Sequence, residues 1–159
     1  MDATIYSTGD NSAIRLSELR GITVLCTVPA AFSGTCTSAC VPAIVDNTER
    51  IKAAGVDRIL IVSADQPFAI NEWKKIAKWN KDAIEFASDF GTFELRGLIG
   101  KLSSEKGKGN LPPVLGELLR RSYTVLKDGE KVWQFIEPDT TKFTLDIEEL
   151  IGAVKKAKV

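Results

Sequence analysis

Residues 32 to 43, FSGTCTSACVPA, set Cys36 and Cys40 four positions apart in a chain that has three cysteines and no histidine. A cysteine attacks as its thiolate, and a free thiol with a pKa of about 8.5 is only a few per cent ionised at neutral pH. A nucleophile here needs help, and the missing imidazole removes Cys/His and Ser/His/Asp arrangements. Three thiols also fall short of the full ligand set of a structural zinc site. Two devices remain. The first turn of a helix leaves N–H groups unpaired and carries the positive end of the helix dipole. A lysine or arginine beside the sulfur, with hydroxyl donors, can supply the rest, since lowering a thiol by about two units takes roughly 2.7 kcal/mol.

The elements around the pair fit the first device. GITVLCTV from Gly21 is a short β-branched run ended by Pro29, as in a strand buried on both faces. A helix is predicted to start near Ser33 to Cys36 and to run through VPAIVDNTERIKAA to Gly55, a suitable residue just past a helix end. Cys36 then falls in or near the first turn and Cys40 one turn deeper, where fewer N–H groups are free. Position alone favours Cys36 as the nucleophile. Any cation must come from another strand.

Further along, DRILIVSA and AIEFAS read as buried strands. Between them PFAINEWKKIAKWN reads as a helix with Pro67 in its first turn; Phe68, Trp73, Ile76 and Trp79 are assigned to the core. TFELRGLIGK is a weaker helix because of Gly97 and Gly100, and SSEKGKGNLPP is a loop. SYTVLKDGEKVWQF is a hairpin turning at Asp128-Gly129. TLDIEELIGAVKKA is an amphipathic helix with Thr144 as its N-cap and lysines in its last turn. The first stretch, TIYSTGDNSAIRLSELRG, is an extension with a small hairpin and a helical turn. This order predicts an α/β fold of thioredoxin-like type, a mixed β-sheet flanked by helices, in a single domain over residues 1–159.

With 159 residues, 44% hydrophobic, the chain can bury one core, and its 21 basic and 21 acidic residues balance without runs. Nothing advertises a nucleic-acid or anionic-membrane surface, so a small ligand is expected. No apolar stretch is long enough to span a bilayer and no secretory pattern opens the chain. A cytoplasmic protein with reduced thiols is the expectation.

The run VPAAFSGTCTSACVPA is similar to the peroxiredoxin signature P-x-x-x-T/S-x-x-C, and in its wider setting resembles the VPGAFTPTCSxxHVPG segment of the peroxiredoxin-five, or type II, subfamily. VSADQPFAINEW and RSYTVLKDGEKVWQFIEPD resemble two further segments of that subfamily in order and spacing, so the likeness spans roughly residues 20 to 140. It implies a thiol-dependent peroxidase reducing hydrogen peroxide or alkyl hydroperoxides. Carried over by position, Cys36 is the peroxidatic cysteine that becomes a sulfenic acid. Ser33 is the hydroxyl that bonds thiolate and peroxide, Pro29 the shield against bulk water, and Arg121 the guanidinium, seven residues before Asp128. Arg120 should face the other side of the sheet. Arg121, Ser33 and the backbone N–H groups of Thr35 and Cys36 would then stabilise the charge moving along the breaking O–O bond. No metal, flavin or haem is required. The family also implies thioredoxin, glutaredoxin or glutathione as reductant and a homodimer whose edge lies near the active-site loops, with Phe32 or Phe68 in it.

The chain departs from the subfamily at Cys40, where histidine is usual, at Ser33-Gly34 for Thr-Pro, and at Asp65-Gln66 for Asn-Asp. No cysteine stands near Leu145, so a late resolving thiol is closed. Cys40 has two readings. It resolves the Cys36 sulfenic acid after the first turn opens, helped by Pro42, whose ring clashes with the Ser38 carbonyl. Otherwise it packs as a small apolar residue and Cys36 is reduced by an external thiol. Cys26, inside a buried strand, is assigned to packing. Two other functions suit the same residues: a thiol–disulfide oxidoreductase using the C-x-x-x-C pair, and a non-catalytic redox sensor.

Overall fold

The computed structural model describes residues 2–79, 82–91, 93–100 and 118–159. Its elements are β1 Thr4–Ser7, β2 Ala13–Arg15, β3 Ile22–Thr27, α1 Val41–Asp46, α2 Thr48–Ala53, β4 Arg58–Ser63, α3 Pro67–Ile76, β5 Ile84–Ser88, α4 Arg96–Ile99, β6 Ser122–Lys127, β7 Glu130–Ile136 and α5 Ile147–Lys158. Seven strands form one mixed sheet in the order β2-β1-β5-β4-β3-β6-β7. β3, β4 and β5 are parallel, and β6 pairs antiparallel with β3.

The three parallel strands are buried on both faces, and their alternation sorts side chains between two cores. Val24 and Cys26 of β3, Ile59 and Ile61 of β4 and Tyr123 and Val125 of β6 face one cluster, closed by Ile44 and Ile51 from α1 and α2, Trp73 from α3 and Leu150 and Val154 from α5. Leu25, Leu60, Val62 and Leu126 face the other, covered by Ile5, Ile14, Leu16 and Leu19 of the N-terminal stretch and Ile99 of α4. That stretch is part of the sheet: β1 and β2 form the expected hairpin, and β1 pairs with β5.

The Asp128-Gly129 turn joins β6 to β7, with φ of 49° and 82° at the two residues, as a tight two-residue hairpin turn requires. Asp128 also ties the hairpin to the start of β3: its carboxylate accepts the Gly21 N–H at 2.9 Å and its own N–H donates to the Gly21 carbonyl at 2.9 Å.

Several expectations need correction. The helix after β3 is not one continuous rod. Residues 36–40 form a wide turn in which the Val41 N–H reaches back to the Cys36 carbonyl. Pro42 explains it, because its ring crowds the preceding turn and it has no N–H to donate, so the chain widens just upstream. The rod breaks again at Asn47, where Asn47 Nδ2 and Thr48 Oγ1 donate to the carbonyls of Ala43, Ile44 and Val45. Phe68 and Ile76 are not core residues but are 78% and 68% exposed, whereas Trp73 and Trp79 are buried as expected. Thr144 does not cap the last helix. Asp146 does, accepting the Glu148 N–H at 2.9 Å, because Thr144 is engaged by Glu137. TFELRGLIGK yields only the short α4, and the SSEKGKGNLPP segment lies outside the described residues.

Candidate active site

The carboxyl ends of β3, β4 and β5 open on one rim of the sheet, where β6 starts beside β3 in the opposite sense. Crevices of this kind, at the ends of parallel strands where the topology changes direction, are where α/β sheets bind ligands. The segment leaving β3 carries Pro29, buried, and then a tight turn over Ala30 to Ser33 with Phe32 at φ 62°. Asp65, just past β4, holds that turn: its carboxylate accepts the Ala31 N–H at 2.7 Å and the Ser63 hydroxyl at 2.7 Å. The Ser33 hydroxyl donates to the Ala30 carbonyl at 2.8 Å, so it braces the turn. Thr35 Oγ1 donates to the Thr141 carbonyl at 2.7 Å, tying the helix start to the segment after β7.

Cys36 follows, wholly buried, in the first turn. Arg121 reaches it from the residue before β6, its Nη2 donating to Cys36 Sγ at 3.2 Å. The guanidinium is fixed from behind: Nε donates to the Thr140 carbonyl at 3.1 Å, and the Arg121 backbone N–H to Thr140 Oγ1 at 2.8 Å. Burial alone would weaken the cation, but the facing Cys36 and Cys40 sulfurs more than offset it, and its pKa is raised. Nη1 is buried without a protein partner. Arg121 lines a pocket of about 510 Å³ together with Pro29, Ala31, Phe32, Ser33 and Leu118.

Cys40 lies on the core side, also wholly buried, with Sγ 3.6 Å from Tyr123 Oη. Cys26 is the cross-strand partner of Tyr123, so all three sulfurs gather on one face of the sheet around Arg121. A hydrogen bond from Cys26 chiefly, with Arg121 and Tyr123 adding, outweighs burial and draws the Cys40 thiol down to about 7; the same contact, with burial, raises Cys26 well above the usual thiol range. All three thiols are free. Among the described residues no cluster of His, Cys, Asp and Glu could hold a metal.

Sequence reasoning named Pro29, Ser33, Thr35, Cys36, Cys40 and Arg121, and they are all found within this region. It missed Asp65 as the brace of the Ala30–Ser33 turn, Thr140 as the seat of Arg121, and the pair Tyr123 and Glu137 behind Cys40. Tyr123 had a readable signal: two residues after Arg121 on a strand, it must share the arginine's face.

The sheet order, the helix entering at its rim and a thiol in the first helical turn define a thioredoxin-like protein. The Redoxin family pattern matches residues 2–151. Peroxiredoxin-2C of Oryza sativa subsp. japonica is 35% identical over 133 residues, covering 82% of this chain and 76% of its own; Peroxiredoxin-2B of Arabidopsis thaliana is 31% identical over 132 residues, covering 80% and 77%. The reduced Prx3 of Vibrio vulnificus in complex with hydrogen peroxide superimposes with a TM-score of 0.77 at 22% identity, over 96% of this chain and 93% of that one. This chain belongs to the Redoxin family, among the peroxiredoxins.

Proposed function

We propose that the Cys36–Arg121 pair is the working centre of a thiol-dependent peroxidase of the type II, peroxiredoxin-five kind. The observation that carries this reading is the geometry of one guanidinium: Nη2 is spent on the sulfur at 3.2 Å, Nη1 is buried with no hydrogen-bond partner, and the residue lines the pocket. A peroxide entering between Pro29 and Arg121 would bring one oxygen to the sulfur and the other to Nη1. The Cys36 thiolate attacks the nearer oxygen, the O–O bond breaks, and the sulfur becomes a sulfenic acid while the leaving alkoxide or hydroxide takes a proton from solvent, which had received the one Cys36 lost on ionising. Charge passes from sulfur to the outer oxygen, so donors already aimed at both atoms stabilise the transition state more than the ground state. The backbone N–H groups of Thr35 and Cys36 and the Ser33 hydroxyl, once turned from Ala30, complete that donor set.

The apolar walls from Ala30, Ala31, Phe32 and Leu118 suit alkyl hydroperoxides as well as hydrogen peroxide. Cys40 resolves the sulfenic acid to a Cys36–Cys40 disulfide after the wide turn opens, and thioredoxin, glutaredoxin or glutathione returns the protein to its thiol form. Full burial of both sulfurs argues against a general disulfide reductase, which must present a thiol to another protein's disulfide. Phe32, Phe68 and Phe90, exposed at 51%, 78% and 51%, form an apolar collar beside the site that suits the surface of a homodimer. Three free thiols suit a reducing compartment such as the cytoplasm.

The test is stoichiometric oxidation. One equivalent of hydrogen peroxide given to the reduced protein should disappear within the mixing experiment, with mass change confined to the Cys36 peptide and its disulfide partner. Insulin disulfides should stay intact when the protein is supplied with a dithiol. Peroxide left unconsumed, or first oxidation at Cys26, defeats the assignment.

A further inference from the structure

Behind Cys40 runs a line of polar atoms that the attack on peroxide does not use. Cys40 Sγ is 3.6 Å from Tyr123 Oη, and Tyr123 Oη donates to Glu137 Oε2 at 3.0 Å. Glu137 also accepts the Thr144 N–H at 2.7 Å, and its other carboxylate oxygen accepts the Thr144 hydroxyl. Cys40 and Tyr123 are 0% exposed and Glu137 is 1% exposed. No lysine or arginine among the described residues pairs with Glu137. A sealed carboxylate without a cation is costly, and merely joining Thr144 to Tyr123 would not require its charge, because an amide of the same shape could accept from one and donate to the other.

Proton accounting gives the line a direction. A tyrosine has one hydroxyl proton, and here Glu137 takes it. Tyr123 therefore meets Cys40 with its lone pairs, and the Cys40 S–H is the donor. The chain reads S–H to Oη, then O–H to Oε2. Moving both protons one place leaves a thiolate on Cys40, a neutral tyrosine whose O–H now points at that sulfur, and a neutral carboxylic acid on Glu137. Tyr123 never becomes a phenolate in this shift, which agrees with its strongly raised pKa, due to burial first and then to the nearby Cys40 and Cys26. The titratable groups facing Cys40 are Cys26 from β3 and Arg121 and Tyr123 from the β6 side; Glu137 meets it only through Tyr123.

We propose that Glu137, working through Tyr123, is the base that frees the Cys40 thiolate for attack on the Cys36 sulfenic acid. The inference rests on the reading of Cys40 as the resolving thiol. In the step, Cys40 sulfur bonds to Cys36 sulfur, the Cys36 S–OH bond breaks, and the departing hydroxide leaves through the pocket and takes up one proton from a solvent acid, hydronium or buffer, to become water. Two electrons from Cys40 reduce the sulfenic sulfur. When an external dithiol reduces the disulfide, the Cys40 thiol re-forms.

The experiment follows the lifetime of the sulfenic acid. Reduced wild type, Tyr123→Phe and Glu137→Gln proteins each receive one equivalent of hydrogen peroxide. Samples are quenched over time with dimedone and a maleimide from about pH 5.5 to 9, and the Cys36 dimedone adduct and the Cys36–Cys40 disulfide are quantified by mass spectrometry. Wild type should close the disulfide at neutral pH. Each variant should lengthen the sulfenic lifetime at pH 7 by about tenfold or more, and in Tyr123→Phe the pH at which closure becomes fast should move upward from that of wild type. A structural role alone would not move the pH profile. Variants that close the disulfide with the wild-type rate and profile overturn the relay while leaving Cys40 as the resolving thiol. A wild type that gives only the Cys36 adduct, with Cys40 still open to alkylation, overturns both. Glu137→Gln keeps every heavy atom in place and carries the test alone should Tyr123→Phe not fold.

Discussion

At one end of the β3 and β6 pair, Gly21 and Asp128 exchange hydrogen bonds and Gly129 turns the chain at φ 82° with the Leu16 carbonyl 2.6 Å from where a Cβ would stand. At the other end Arg121 Nη1 has no partner, Phe32 is held at φ 62°, and the turn after it is wound too wide. The same two strands are thus finished in opposite ways. The hairpin end ties Gly21 to Asp128 and gains stability there, though the buried Thr23 hydroxyl close by has no partner, while the rim keeps a charged donor unpaired and a backbone strained, both of which cost stability and suit reaction. Substitutions at the two ends should accordingly separate activity from stability.

The largest effect belongs to Cys36→Ser, which should abolish peroxide turnover in a coupled reductant assay and leave thermal unfolding nearly unchanged. Next is Arg121→Met, of similar volume without the charge. The peroxide step should slow by about 10²- to 10³-fold, as when a preorganised donor is removed. The melting temperature should hold or rise, because an apolar replacement of a buried, partly unpaired cation is often neutral or stabilising. An unchanged rate would mean that another group supports the sulfur. Gly129→Ala sharpens the contrast from the stable end. Positive φ and the Leu16 carbonyl together should cost about 2 kcal/mol or more in denaturant unfolding, with the rate per folded molecule retained.

The smallest effect concerns Asp89, just past β5, whose carboxyl accepts the Leu95 N–H and is pushed up to about 6 by burial. Its folded pKa lies above the unfolded value of about 3.9, so the folded state binds more protons between those values. Stability should therefore fall as pH rises from about 4 to 6. Asp89→Asn keeps the acceptor for Leu95, and should be more stable than wild type at pH 7 by on the order of 1 kcal/mol, with the difference gone near pH 4. Urea midpoints across that range measure it.

The sequence read these ends unequally. Asp128-Gly129 was legible because a two-residue turn with positive φ is a local demand met by few residues. Cys36 was legible because a strand, a proline and a helix start fix its place within ten residues, and Arg121 only through the resemblance to the peroxiredoxins, which sets an arginine seven residues before that turn. Glu137, Thr140 and Thr144 were not, since each acts on a residue brought close only by the fold. Thr144 shows the cost of a local reading: it has the composition of a cap, yet a carboxylate seven residues earlier claims its hydroxyl and leaves capping to Asp146. Phe68 and Ile76 fit the helical period but lie on the side of α3 that no core covers.

The wide turn at residues 36–40 has a consequence for how the protein tolerates change in length. It holds one residue more than a regular helical turn, and the helix beyond resumes ordinary spacing at Val41. Deleting Ser38, which is exposed, would let the segment rewind to standard pitch, with α1 undisturbed and everything upstream swung by about 100° around the axis. Cys36 would then face away from the guanidinium in a protein whose outline had scarcely altered. The surplus residue works as a shim: it adds no contact of its own but sets the angle at which the sulfur meets its cation.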